Sequence, residues 1–89
     1  MISTGEEVAL WLVDDRPARL VWGGRRWRVS DQPTPLHQRA EWLPPMLTHA
    51  PEPRIGWRFQ ATAVDDGESV VVDVVATEGG EWRIDRVYR

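Results

Sequence analysis

Apolar and polar positions alternate with a period of two over most of the chain, the spacing of strands whose successive side chains point to opposite faces. Glu6 to Asp14 is apolar on both faces, with Val8, Leu10 and Leu12 on one and Ala9, Trp11 and Val13 on the other, as suits a well-covered strand. Asp15-Arg16-Pro17 is expected to turn the chain, because proline fixes φ and has no N–H to give to a ladder. Ala18 to Trp22 and Arg25 to Ser30 read as the second and third strands around Gly23-Gly24, a two-residue loop that supplies the positive φ of a type I′ or II′ turn. That turn opposes Leu20 with Trp27 and Ala18 with Val29 on one face, and Val21 with Arg26 and Arg19 with Arg28 on the other. Trp27 therefore points inward and Arg19, Arg26 and Arg28 point outward.

From Trp57 to Glu81 the same arithmetic applies. A two-residue Asp66-Gly67 turn opposes Ala63 with Val70, Ala61 with Val72, Phe59 with Val74 and Trp57 with Ala76, an entirely apolar face. The other face pairs Thr62 with Val71, Gln60 with Asp73 and Arg58 with Val75. The final stretch, EWRIDRVYR, alternates Trp82, Ile84, Arg86 and Tyr88 against Arg83, Asp85 and Val87. A strict Gly79-Gly80 turn would put Arg83 and Asp85 on the apolar face, so an odd-length loop that includes Glu78, with a glycine bulge, is expected. It sets Trp82 beside Ala76 and Ile84 beside Val74.

Between these groups, Gln32 to Gly56 holds prolines 33, 35, 44, 45, 51 and 53, six of the chain's seven, and no regular strand is expected there. Leu36, Trp42, Leu43, Met46 and Leu47 are apolar anchors that a disordered tether would not need. A packed irregular arc follows, with room for one helical turn around His37 to Trp42. The expected fold is all-β: about six short antiparallel strands in a small, partly open barrel or bent sheet. The chain is read as one domain, 1–89, with a strand group at 6–30, the proline-rich arc at 32–56 and a β-meander at 57–89.

Composition narrows the functions. Eighty-nine residues suffice for a single core that buries roughly 60–65% of the unfolded surface, and six tryptophans have first claim on it. The absence of cysteine excludes disulfide scaffolds and thiolate zinc sites and leaves a cytoplasmic protein as the default. The apolar run near the start is too short to span a bilayer and lacks the basic flank of a signal peptide, so no membrane partner is expected. All eleven basic residues are arginine, which a GC-rich genome also produces. The net charge of −3 excludes a uniformly basic surface, yet residues 16 to 30 carry five arginines and no acid.

Two arginines opposed on a strand pair repel, so Arg19 and Arg28 imply a negative partner. It is either the chain's own Glu7, Asp14 or Asp15, or an external anion, of which nucleic-acid phosphate is the commonest for an arginine cluster. Trp11 shares the outer face and could stack a base or lie under the proline-rich arc. Arg58 and Arg83 have Asp73 and Asp85 on their own outer face, which predicts an exposed cross-strand charge ladder of roughly 0–1 kcal/mol. His37 and Glu41, four apart, with His49 elsewhere, are too few for a metal site. Ser30, Asp31 and His37 suggest no nucleophile and base, and the glycine pairs lack the Lys-Ser/Thr of a phosphate loop. Asp65-Asp66-Gly67-Glu68 lacks the ligand spacing of a calcium loop. No metal or cofactor is expected.

The runs PARLVWGGRRWRV at 17–29, GWRFQA at 56–61 and GEWRIDRVY at 80–88 resemble a small actinobacterial domain family of unknown function, rich in tryptophan and arginine. The resemblance covers about residues 17 to 89. Members occur free-standing or at the tail of Y-family-polymerase-like proteins, which implies a DNA-linked accessory role and carries over no catalytic residues. The second glycine of Trp22-Gly23-Gly24-Arg25 and the long arc depart from the commoner pattern. The expected function is a non-enzymatic binding module that presents Arg19, Arg26 and Arg28, with Trp11, to nucleic acid or another anionic partner. The alternative is a protein-interaction module that uses a sheet edge or the arc around Trp42, Leu43 and Met46; an enzyme ranks third.

Overall fold

The computed structural model describes residues 6–37 and 54–88. Seven antiparallel strands form there: β1 (Glu7–Val13), β2 (Arg16–Trp22), β3 (Arg25–Val29), β4 (Thr34–His37), β5 (Arg54–Ala63), β6 (Ser69–Ala76) and β7 (Trp82–Tyr88). The sheet runs β3-β2-β1-β7-β6-β5-β4, and a further β3–β5 pairing closes six of the strands into a barrel with β4 as an addition. No helix occurs among the described residues. The all-β class follows from the alternation. Leu20, Trp27, Phe59, Ala61, Val72, Val74, Ile84 and Val87 all point into the closed core.

Closure depends on a division of β5. Its C-terminal half pairs with β3 (Trp27 with Ala63, Val29 with Ala61), and its N-terminal half pairs with β4 (Thr34 with Arg58, Leu36 with Gly56). β3 and β4 thus lie in series along one edge of β5. Between them the Asp31 carboxylate accepts the Gln60 N–H at 2.8 Å, and Ser30 N–H reaches the Gln60 carbonyl at 2.9 Å. A side-chain acceptor replaces the missing ladder bond, which keeps the break from leaving an orphan donor.

The β2–β3 register is as expected, with Leu20 opposite Trp27 and Arg19 opposite Arg28, and both turn glycines have positive φ, 61° and 73°. The loop at Glu78–Gly80 is also as expected: Thr77 N–H bonds to the Glu81 carbonyl, Trp82 faces Ala76 and Ile84 faces Val74.

Four expectations need correction. The first turn is Asp14-Asp15, at φ 51° and 62°, and β2 already starts at Arg16. Aspartate tolerates the left-handed region better than most residues. A bulge at Trp11/Leu12 sets Pro17 opposite Leu12. Leu12 was expected in the core but is 39% exposed, because β7 pairs with β1 only at Glu7 and Val8 and leaves the hairpin tip uncovered.

Second, the proline-rich arc does contain a strand, β4, and β5 begins at Arg54. Pro33 precedes β4 and Pro35 lies within it, where β4 is the edge of the sheet among the described residues and a missing N–H on the outer side costs no ladder bond. His37 lies in that strand and not in a helical turn; Glu41 and Trp42 lie outside the described residues.

Third, β5 and β6 are offset by two from the expected register, with Ala61 opposite Val70, Phe59 opposite Val72, Trp57 opposite Val74, Gln60 opposite Val71 and Thr62 opposite Ser69. The turn has four residues, Val64 to Gly67, closed by Ala63 N–H to the Glu68 carbonyl at 2.8 Å. An even shift leaves every side chain on its face, so the apolar pattern fits both registers equally. The shift matters on the outer face, where Arg58 meets Asp73. Arg58 Nε donates to Oδ1 at 2.7 Å and the Tyr88 hydroxyl donates to Oδ2 at 2.7 Å. Asp73 is only 4% exposed, so this pair is no surface ladder.

Fourth, a bulge in β7 passes from Val74 opposite Ile84 to Asp73 opposite Arg86, which reverses the alternation. Val87 enters the core and Arg86 stays outside, although simple alternation groups Arg86 with Ile84.

Candidate nucleic-acid interface

Strand pairing places the expected contact residues side by side. Trp11 is opposite Arg19, Arg19 opposite Arg28 and Arg28 opposite Thr62, one row running across β1, β2, β3 and β5 on the outside of the barrel. The adjacent row is Ala9, Val21 and Arg26, extended by Val64, whose N–H donates to the Arg26 carbonyl at 2.9 Å. At about 4.8 Å between strands, Trp11 and Arg28 stand roughly 10 Å apart. The two rows form an open groove of about 780 Å³ lined by Trp11, Arg19, Val21, Arg26, Arg28 and Val64. Trp11 is 52% exposed.

None of the three carboxylates offered for these arginines, Glu7, Asp14 and Asp15, forms an ion pair with them. Glu7 sits opposite Arg83 on the β7 side, and Asp15 is held by Arg54 at 3.0 Å. Among the described residues no acid forms an ion pair with Arg19, Arg26 or Arg28. Whether residues 38–53 reach Trp11 lies outside the described residues, as do Trp42, Leu43 and Met46.

Arg25, from the same arginine run, has a different role. Its guanidinium lies 4.7 Å over the Trp27 ring and binds Asp65 and Asp66, each at 2.9 Å, with Glu68 at 3.6 Å. The acidic loop is thereby clamped to β3, and Val64 becomes a wall of the groove. Sequence reasoning missed Val64; the only signal was an apolar residue just before the acidic turn. It also missed a chain of hydroxyls beside Arg28, in which Thr62 donates to Ser30 Oγ at 2.7 Å and lies 2.9 Å from Ser69 Oγ.

The clamp has a pH signature. The Arg25 hydrogen bond holds the Asp65 carboxyl below its ordinary value of 3.8, and Arg54 does the same for Asp15. A carboxylate depressed by folding stabilises the fold above its ordinary value, and that stability is lost as pH falls through the folded value. Arg25→Gln is therefore expected to lose less melting temperature than the parent between pH 5 and about 2, with the difference shrinking in high salt because the groups are exposed. Identical acid-side slopes in the two proteins would exclude the clamp as their source.

Other polar groups are engaged or isolated. Asp73 is satisfied by Arg58 and Tyr88, and no group of three or more His, Cys, Asp or Glu among the described residues could hold a metal ion. No helix of the described residues is long and apolar enough to cross a membrane. No protein-family model matches the chain, no curated protein matches it, and no solved structure matches it.

Proposed function

We propose that this protein is a non-catalytic nucleic-acid-binding module that uses the outer face of β1, β2 and β3. One observation carries the reading: Arg19, Arg26 and Arg28 have no ion-pair partner among the described residues and share an open groove with a half-exposed tryptophan. Arg19 and Arg28 face each other directly and repel, so an anion between them gains from both charges. Guanidinium suits phosphate because its donors are arranged as a planar fork. The resemblance to the tryptophan- and arginine-rich actinobacterial domain points toward the same accessory role, and a cytoplasmic setting belongs to this reading.

The test is a binding titration of the Arg19→Gln/Arg26→Gln/Arg28→Gln variant with oligonucleotides at two salt concentrations. Affinity is expected to fall at least about tenfold at low salt, with each lost phosphate contact flattening the salt slope by about 0.7–0.9. The melting temperature should hold or rise, since a repulsive pair is removed. Unchanged affinity and slope would reject the proposal.

Protein contact through a sheet edge is the second reading, and among the described residues β4 supplies such an edge. Pro35 stands in its middle and has no N–H to donate, which makes it a poor template for an added strand. A partner captured from the host after nuclease treatment, and lost on blocking β4, would favour this reading over the first.

A further inference from the structure

Within the nucleic-acid reading, on which this step rests, we infer that the groove selects a short single strand over a duplex, with a base stacked on Trp11 and phosphates over Arg19, Arg26 and Arg28. Three features lead there.

The basic patch is small. It spans adjacent rows on neighbouring strands, Arg19 with Arg28 and Arg26 beside them, about 5 Å across and roughly 7 Å along the strands. Among the described residues the surface around it offers no excess of positive charge: Arg54 is paired with Asp15, Arg25 is paired with Asp65 and Asp66, Arg16 follows Asp14 and Asp15 at the tip of β1, and Asp31 follows β3. A duplex brings two phosphate walls on either side of a groove about 12 Å wide, and its outer phosphates would find no free cluster of cations there. A single strand fits within the patch.

Trp11, half exposed, stands at the end of the arginine row. In a duplex each base is already stacked on its neighbours, and exposing one costs a few kcal/mol. An unpaired base meets no such barrier, and every base has a face to stack, so the preference is for strandedness and not for sequence. The apolar side chains Val21 and Val64 give the sugar a surface to rest on.

Capacity agrees with size: a groove of about 780 Å³ is in the range that holds one small ligand, here a nucleotide or two.

The experiment uses the full chain and fluorescence anisotropy with a labelled single strand about ten nucleotides long, a duplex of equal length, and polyphosphate and polyglutamate as competitors. The single strand is expected to bind at least about tenfold tighter than the duplex. Its log–log salt slope should be about −2, the value for three phosphates on a single strand. Trp11→Ala should weaken the single strand about 5- to 100-fold more than it weakens polyphosphate, and Trp11→Phe should restore most of that difference. Far-UV circular dichroism verifies that each variant remains folded.

Duplex binding equal to or tighter than the single strand overturns this inference and leaves the nucleic-acid reading standing. Equal losses for single strand and polyphosphate in Trp11→Ala overturn the stacking role. Absence of binding to every oligonucleotide, or binding of polyglutamate alone, overturns both the inference and the reading beneath it.

Discussion

Gly56→Ala is expected to destabilise the barrel by about 3 kcal/mol or more, which, from a total near the usual lower bound of about 5 kcal/mol, raises the unfolded fraction at 25 °C from about 0.02% to about 3% or more. Gly56 is buried in β5, opposite Val75 of β6 and Leu36 of β4. A Cβ there would overlap the Val74 carbonyl oxygen and stand 2.8 Å from Val75 Cα and 3.0 Å from Val74 C. All three obstacles are backbone atoms. No flexible side chain can swing aside, so β5 and β6 must separate, and the hydrogen bonds of the best-paired hairpin in the barrel weaken with them. Gly79→Ala is the control, because its added Cβ would meet only Thr77 Oγ1 at 4.0 Å. Urea melts followed by circular dichroism should place Gly79→Ala within about 0.5 kcal/mol of the parent and Gly56→Ala far below it. A parental midpoint for Gly56→Ala would show that the two strands do not need their close approach.

Trp27→Ala is expected to cost about 3–5 kcal/mol, the range for removing a buried aromatic. Trp27 is 3% exposed, packs its ring 5.2 Å from Trp22, and donates its indole N–H to the Trp22 carbonyl at 3.2 Å. The Arg25 guanidinium also lies 4.7 Å over the Trp27 ring while it holds Asp65 and Asp66. Losing the ring thus opens a core cavity and removes the platform under the guanidinium. Hydrogen exchange should show faster opening around residues 64–68 than around β6 and β7 in this variant. Trp27→Phe keeps an aromatic platform and should recover about half of the loss. A Trp27→Ala midpoint within about 1 kcal/mol of the parent would mean that the neighbouring side chains refill the space.

The candidate site was partly readable because hairpin geometry is local. A two-residue Gly-Gly turn dictates that Arg19 faces Arg28 and Val21 faces Arg26, and the inward Leu20 and Trp27 then force those arginines outward. The role of Arg25 was not readable. It sits in the same run as Arg26 and Arg28, yet its acids are 40 and 41 residues away on a loop that β3–β5 pairing brings alongside. Asp15 likewise finds Arg54, 39 residues on, so it is unavailable to Arg19 for a reason that no local pattern contains.

The amino-acid sequence by itself determined the all-β class, the two faces of most strands, the Gly23-Gly24 register and the three-residue loop before Trp82. Each is set by period-two alternation or by turn chemistry within a few residues. Only the tertiary structure decided the two-residue offset of β5 against β6, the bulges in the β1–β2 and β6–β7 pairings, the edge strand β4 and the closure through β3 and β5. Alternation is unchanged by an even shift, reversed by a bulge, and silent about which distant strand becomes a neighbour. Closure also divided the arginines, giving distant acids to Arg25, Arg54 and Arg58, while Arg19, Arg26 and Arg28, like Arg16 and Arg83, have no ion-pair partner among the described residues.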